Sequence, residues 1–195
     1  MEPVAEIRYL TEVEPAPGRL ALLQAFVNTV DHEHGREVLH APERLGELLS
    51  RLGLLDPAVR PTADELAGAI ELRTALRALA LANNGGPATR DAELVLERAA
   101  AAGRLGVRFH DGTPLLEGAE PGVAGALATL AGIVAEAVAA GTWTRLKACR
   151  REVCGWLFYD RSRNRSARWC DMAVCGNRTK TRAYRERHRP RGRAR

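Results

Sequence analysis

The pattern of apolar and polar residues predicts helices through most of the first 140 positions. Over residues 19–31 and 42–52, apolar side chains recur at intervals of three and four, as on the buried face of an α-helix. Pro42 suits the first turn of the second helix, and Gly53 is placed to end it. The two apolar stripes consist of Leu20, Leu23, Val27 and Val30, and of Leu45, Leu48, Leu49 and Leu52.

Three further helices are predicted along this part of the chain. Thr62 followed by Glu65 three residues later forms a capping box, which marks the start of a long helix. The Asn-Asn-Gly-Gly-Pro sequence at 83–87 then ends that helix. The other two helices are predicted over residues 90–102, where Gly103 ends the helix, and from Pro121 to Gly141.

Between these last two helices, the spacing of apolar residues changes from that of a helix to the alternation typical of β-strands. Residues 105–109 and 113–116 flank the dipeptide Asp111-Gly112, which supplies the positive φ angles of a tight hairpin turn. The first 141 residues are therefore predicted to form a mainly α domain with a short β-hairpin.

The size and composition of the chain limit its class. Its 195 residues and 21.2 kDa are enough for one ordinary domain, or for a medium domain with a small appendage. With 46% hydrophobic and 27% charged residues the composition is globular, and we expect no apolar run of the length of about eighteen residues that a membrane span needs. The first ten residues carry three charges and no apolar block, so we expect a cytoplasmic protein without membrane association.

The charge is distributed unevenly. Residues 1–140 carry 12 basic and 20 acidic residues, a net charge of −8, whereas residues 141–195 carry 17 basic and 4 acidic residues, a net charge of +13. All four cysteines and six of the nine aromatic residues also follow residue 142. The asymmetry predicts a second module whose partner is a polyanion.

The four cysteines have the spacing of metal ligands. Four residues separate the members of each pair, fifteen separate the pairs, and a glycine that tolerates tight backbone geometry follows each pair. Four thiolates favour one structural Zn²⁺ per chain, with iron as the alternative, and they leave no open position for a catalytic water. Disulfides or unrelated core thiols are the competing explanation, which a reducing compartment disfavours. The predicted ligands are Cys149, Cys154, Cys170 and Cys175.

The segment between the two cysteine pairs is predicted to be a hairpin that bridges them. Its strands would be Trp156–Asp160 and the dipeptide Arg168-Trp169, on either side of the polar turn at 162–164.

These motifs resemble the CGNR zinc finger family over residues 147–189. The resemblance is carried by Cys149, Cys154, Gly155, Trp156, Phe158, Asp160, Ser162, Asn164, Trp169 and the run from Cys170 to Arg178. The Phe-Val-Asn-Thr-Val-Asp sequence at 26–31 resembles the ABATE domain that usually precedes this finger in stress-induced transcription regulators, although this chain has Ala25 where members often have an acidic residue. The resemblance implies zinc on the four cysteines and nucleic-acid binding.

Three segments follow from these observations: a helical ABATE-like domain at 1–141, a small α+β, treble-clef-like zinc finger at 142–189, and a basic tail at 190–195. Asn177 is predicted to cap a basic helix that starts at Arg178. Like charges on one helix face repel one another, and a polyanion relieves that repulsion, so we expect this helix to bind duplex DNA. The predicted contacts on the helix and in the preceding turn are Arg163, Arg165, Arg168, Arg178, Lys180, Arg182, Arg185 and Arg189.

Alternatives from other classes remain open. Arg-rich helices also suit an RNA- or ribosome-associated protein, the zinc could staple a protein-interaction module, and the basic helix could serve solubility alone. The sequence contains no nucleotide-binding or nucleophile motif, so an enzyme is not expected, and the dense Asp-His-Glu-His sequence at 31–34 with His40 is better explained as the polar end of a helix than as a second metal site.

The first domain has two open roles of its own. It could form a homodimer, or it could sense a small-molecule effector, for which the resemblance makes Asn28 and Thr29 the candidate ligand contacts. Both side chains are polar groups in an apolar segment, so each needs a hydrogen-bond partner if it is buried, and a partner within the protein is an equally good explanation.

Overall fold

The structure, a computed structural model, describes residues 13–88 and 90–188, except for the side chains of residues 183 and 185–187. Most of the described part of the chain before residue 141 is helical, as the apolar periodicity predicts. The helices there are α1 (Leu20–Val27), α2 (Pro42–Arg51), α3 (Ala63–Ala82), α4 (Arg90–Ala102) and α5 (Gly122–Ala139). Within residues 142–188 a single longer helix, α6 (Asn177–Arg187), follows a π-helical turn at Met172–Gly176.

The described strands form three antiparallel pairs. The first is a two-residue pair, and the second is the predicted hairpin, with Leu105 opposite Gly118 and His110 opposite Thr113. The third pair lies in the cysteine-containing segment. The strands are β1 (Val30–Asp31) with β2 (Arg36–Glu37), β3 (Leu105–His110) with β4 (Thr113–Gly118), and β5 (Leu146–Ala148) with β6 (Leu157–Tyr159).

Local sequence signals set several of these boundaries. The Thr62 hydroxyl accepts from the Glu65 backbone N–H at 3.2 Å while the Glu65 carboxylate accepts from the Thr62 N–H at 2.7 Å, which is the predicted capping box. Asp111 and Gly112 have φ angles of +48° and +80°, as the tight turn between β3 and β4 requires. The mainly α domain with a short β-hairpin is therefore confirmed.

Helix α1 ends earlier than the periodicity predicts. It stops at Val27, and Val30 starts β1 rather than the last turn of a helix extending to residue 31. The reason lies in Asn28, whose amide oxygen accepts from the Leu157 N–H at 2.7 Å and whose amide nitrogen donates to the Leu157 carbonyl at 3.0 Å. This pair of bonds to a distant strand holds the chain out of the helical path.

Helix α5 is the central element of the core. Eighteen residues long, it is apolar enough to cross a membrane by length and composition, which the sequence analysis did not expect, but 67% of it is buried inside the protein as a core helix is. Strand β4 packs on it so closely that a Cβ on Gly118 would lie 2.3 Å from the Gly125 carbonyl oxygen. Glycine is therefore required at this contact for steric reasons.

The core continues from the helices into the cysteine-containing segment. Leu146, Ala148 and Leu157 of β5 and β6 belong to the same buried cluster as Phe26 of α1 and Leu76 of α3. The strand pair is thus packed into the helical domain rather than attached to it by a linker.

Two asparagines at the end of α3 add polar contacts to this packing. Asn83 donates to the carbonyls of Trp143 and Leu146, each at 2.9 Å. Asn84, 6% exposed, donates to those of Ala148 and Arg168 at 2.8 and 2.9 Å. The residues that end α3 therefore also bind the backbone of the cysteine-containing segment.

Replacing Asn28 by alanine is expected to lower the free energy of unfolding by about 1–3 kcal/mol, because the buried N–H of Leu157 loses its partner. Chemical denaturation monitored by circular dichroism measures this change. Asn164→Ala, at an exposed position, is the control and should change stability by less than about 0.5 kcal/mol. Equal stability of the two variants would contradict the role assigned to Asn28.

Candidate metal centre and nucleic-acid interface

The four cysteine sulfurs converge on one point. All of them lie within 4.8 Å of one another, and Cys170 Sγ lies 3.6 Å from that of Cys154 and 3.7 Å from that of Cys175. A tetrahedral zinc ion with bonds of about 2.3 Å to sulfur places its ligands about 3.8 Å apart, so the cluster fits one Zn²⁺. Four protein sulfurs close the coordination shell, as in structural sites.

The first cysteine pair lies in the loop that joins β5 to β6. The Cys149 N–H donates to the Trp156 carbonyl at 2.8 Å, which extends the strand ladder up to the first ligand. After Cys154, the chain turns back through Gly155, whose φ of +63° favours glycine. Backbone N–H groups of Arg151 and Trp156 point at the sulfurs of Cys149 and Cys154.

This arrangement corrects the predicted hairpin. Strand β6 pairs with β5, which precedes the first cysteine pair in the sequence, and not with Arg168-Trp169. The prediction was wrong because β5 contains only three residues, too few for a period to be recognised, and one of them is the buried Lys147.

The second cysteine pair is built differently. The Asp171 side chain accepts from the Val174 N–H at 2.7 Å and caps the π-helical turn that carries Cys175. That turn runs directly into α6, and Asn177 is the first residue of α6. Contrary to the prediction, the Asn177 side chain does not cap this helix with a hydrogen bond. Gly176 has a helical φ of −64°, and its smallness matters because Met172 Sδ would lie 2.5 Å from a Cβ there.

The thiols influence one another's ionisation. Hydrogen bonds from Cys154 and Cys170 lower the pKa of Cys149 to about 2, whereas the hydrogen bond to Cys149 raises the pKa of Cys154 to about 12. The four thiols therefore do not ionise independently of one another. A bound Zn²⁺ stabilises all four thiolates, since a coordinating thiol is deprotonated.

A buried ion pair shapes the loop between the two cysteine pairs. Lys147 Nζ donates to the Asp160 carboxylate at 2.6 Å and to the carbonyls of Arg165 and Ala167 at 2.6 and 3.2 Å. Burial would raise the pKa of Asp160, but hydrogen bonds from Lys147 and Ser162 outweigh it and hold that pKa below its usual value. This role of Lys147 was not predicted from the sequence. The available signal was a lysine between two apolar residues, Leu146 and Ala148.

The predicted nucleic-acid contacts lie mostly on the surface. Arg163, Arg165 and Arg168 are exposed in the loop after β6, and Arg178, Lys180 and Arg182 are exposed on α6. The side chain of Arg185 and the whole of Arg189 lie outside the described residues.

Two arginines that the sequence analysis missed lie beside α6. Arg150 is exposed and Arg151 is partly buried in the first cysteine loop. Arg151 Nη1 lies 3.9 Å from Cys175 Sγ, so this cation is close to the metal centre. The position of these residues between two metal ligands was the available signal.

Glu33 connects the helical domain to the finger. It lies in the loop between β1 and β2, and each of its carboxylate oxygens accepts from Arg151 at 2.7 Å. Glu33 also forms an ion pair with Arg178 of α6. The hydrogen bonds from Arg151 lower the pKa of Glu33, so the carboxylate is ionised at neutral pH.

Two of the histidines near Glu33 in the sequence, His34 and His40, bond to different partners. His34 Nδ1 lies 2.6 Å from the Asp31 carboxylate, and His40 Nδ1 lies 3.0 Å from the Glu37 carbonyl. In residues 13–88 and 90–188, the cysteines are the one group of three or more side chains placed to share a metal ion. The segment at 31–34 consists of the last residue of β1 and the turn that follows it, and it is not the end of a helix, because α1 stops before it.

Asn28 and Thr29, the candidate ligand contacts, are both buried and have partners within the protein. Thr29 Oγ1 donates to the Phe26 carbonyl at 2.9 Å and accepts from Arg73 at 3.0 Å. Asn28 is bound to Leu157, as described above.

The fold and the site together define a helical domain carrying a four-cysteine zinc finger. Residues 18–141 match the ABATE family model, described as "Putative stress-induced transcription regulator", and residues 145–188 match the CGNR zinc finger. The chain belongs to the ABATE family, with a CGNR zinc finger at its C-terminal end, which confirms the resemblance seen in the sequence. No curated protein matches the chain.

Replacing Cys170 by serine is expected to weaken zinc binding by more than about 100-fold, since changes even outside the ligand shell cost about 10–100-fold. Competition with a chromophoric chelator measures the affinity, and elemental analysis should give one zinc per chain for the unmodified protein. Ser166→Ala, in the same loop but remote from the sulfurs, is the control and should keep its zinc. Retention of zinc by the Cys170 variant would contradict the assignment of this ligand.

Proposed function

We propose that the protein is a DNA-binding transcriptional regulator whose zinc finger presents basic side chains to duplex DNA. The observation that carries the proposal is the number of exposed cations on the two segments that lie between and after the cysteine pairs. The loop between the cysteine pairs contributes Arg163, Arg165 and Arg168, and α6 contributes Arg178, Lys180 and Arg182. Within the described residues, the side chains of the three loop arginines and of Lys180 have no acidic partner.

Acidic residues are few in this part of the chain. Residues 141–195 contain four acidic residues, and one of them, Asp160, is buried against Lys147. A surface of this kind attracts a phosphate backbone and gains free energy from the release of counterions.

Duplex DNA is favoured over single-stranded RNA by the position of the aromatic side chains. Binding of unpaired bases relies on exposed aromatic rings, on which the bases stack. Trp156 and Phe158 are 7% and 4% exposed, and Trp169 packs partly buried against the cysteine cluster. These three rings serve the core, and the exposed ring of Tyr184 on α6 is stacked on the His188 ring of its own chain, so we expect phosphate contacts to dominate.

The proposed role is not enzymatic and is exercised in the cytoplasm, at the nucleoid when DNA is bound. A metal ion held by four protein sulfurs has no open position for an activated water. The helical domain would regulate the finger to which it is packed.

Binding to duplex DNA should weaken steeply with salt. If five to six phosphates are neutralised, a plot of log affinity against log salt concentration has a slope of roughly −4 to −6. Fluorescence anisotropy of a labelled duplex at several salt concentrations measures this slope. A slope near zero would contradict the proposed DNA binding.

Reversing charge on α6 should abolish DNA binding and leave the fold intact. In K180E/R182E two exposed cations become anions, and glutamate forms helices about as well as lysine and arginine do. R60E/R108E, which makes the same charge change on the helical domain, is the matched control and should retain most of the affinity. Loss of zinc from the K180E/R182E protein would instead mean that these residues are structural.

A further inference from the structure

A groove lies between the first cysteine loop and the start of α6. It has a volume of about 400 Å³. Four arginines line it, together with a single acidic residue, Glu152. The arginines are Arg150, Arg151, Arg178 and Arg182.

The chemistry of this groove suits a phosphate group. A guanidinium presents its donors in a planar fork that matches the oxygens of a phosphate, and this match makes arginine the preferred residue for such contacts. Arg178, Thr179 and Arg182 lie on α6 and Arg150 and Arg151 lie in the first cysteine loop, so cations line the groove from both of its sides. Four arginines with one acid leave the groove with excess positive charge.

In the folded protein an internal carboxylate already engages two of these arginines. Glu33 forms a bidentate pair with Nη1 and Nη2 of Arg151 and a second ion pair with Nη1 of Arg178. The Glu33 and Arg151 side chains are 25% and 16% exposed, so this pair is largely shielded from solvent. Glu33 lines the adjacent cavity, of which Arg178 is a shared wall, and it does not line the groove itself.

We propose that the groove is a phosphate-binding site and that Glu33 of the helical domain competes with the phosphate for Arg151 and Arg178. The proposal rests on the proposed function, because it identifies where a backbone phosphate of the DNA binds. It also gives the helical domain a direct influence on the finger.

Competition follows from the number of donors. A guanidinium has five N–H groups, and the bidentate pair with Glu33 uses the end formed by both terminal nitrogens of Arg151. A phosphate that binds the same end must displace the carboxylate, and a phosphate that binds elsewhere still experiences its negative charge. Removing the charge of Glu33 should therefore strengthen phosphate binding.

The test is a double-mutant cycle on the full-length, zinc-loaded protein, with a labelled DNA duplex as the probe at fixed salt. Glu33→Gln keeps the side-chain size and is expected to tighten binding by about three- to tenfold, and Arg151→Gln to weaken it by a similar factor. In the Arg151→Gln background the gain from Glu33→Gln should fall to about twofold or less, because the two residues act on each other.

The matched control for Glu33 is Glu152→Gln. This residue lines the groove and carries the same charge, but within the described residues it pairs with no arginine. It should change affinity by less than about twofold. Zinc content and the unfolding temperature are measured for every variant. If Glu33→Gln fails to fold, Glu33→Ala, which also removes the charge, replaces it and is expected to tighten binding in the same direction.

A second arm uses inorganic pyrophosphate, measured by calorimetry at matched ionic strength, to distinguish a backbone phosphate from a free one. If the wild-type protein binds DNA but Glu33→Gln behaves like Glu152→Gln, the groove proposal is overturned while the proposed function stands. If DNA does not bind but pyrophosphate does, and Glu33→Gln tightens it, the proposed function fails and the groove remains as a site for a free phosphate compound. Binding of neither probe would overturn both.

Discussion

Convergence of four cysteine sulfurs within 4.8 Å holds the C-terminal segment in place. The two cysteine loops are short, and regular structure near them is limited to three-residue strands and a single turn before α6. A segment of this size is too small to fold on its own apolar contacts alone, and a structural zinc ion can contribute on the order of 10 kcal/mol to folding. Because Cys175 lies in the turn that leads into α6, the metal centre also fixes where the basic helix begins.

The finger depends on the helical domain as well as on the metal. Its strand pair shares one core with α1 and α3, and its backbone is satisfied by the side chains of Asn28, Asn83 and Asn84. Buried backbone groups are costly when unpaired, so these asparagines tie the folding of one part to that of the other. Two family models match adjacent segments of the sequence, but in the folded protein these two segments share one core.

The contact between the parts is also electrostatic. The helical domain is acidic by sequence and the finger basic, and their charges meet where Glu33 binds Arg151 and Arg178. If the finger binds a polyanion as proposed, this carboxylate on its cations would link the state of the helical domain to the affinity of the finger. Displacement of the loop between β1 and β2 would change the charge that a bound polyanion experiences.

The sequence alone determined the helices, the hairpin turn at Asp111-Gly112, the capping box at Thr62 and the four zinc ligands, because each of these depends on residues a few positions apart. It failed at the end of α1 and at the partner of β6, since both are decided by contacts with remote segments. Only the tertiary structure brought Glu33 to Arg151, 118 positions away, and Asn84 to Ala148, 64 positions away. Pairings at such separations depend on how elements pack in space, and local periodicity and spacing carry no record of that packing.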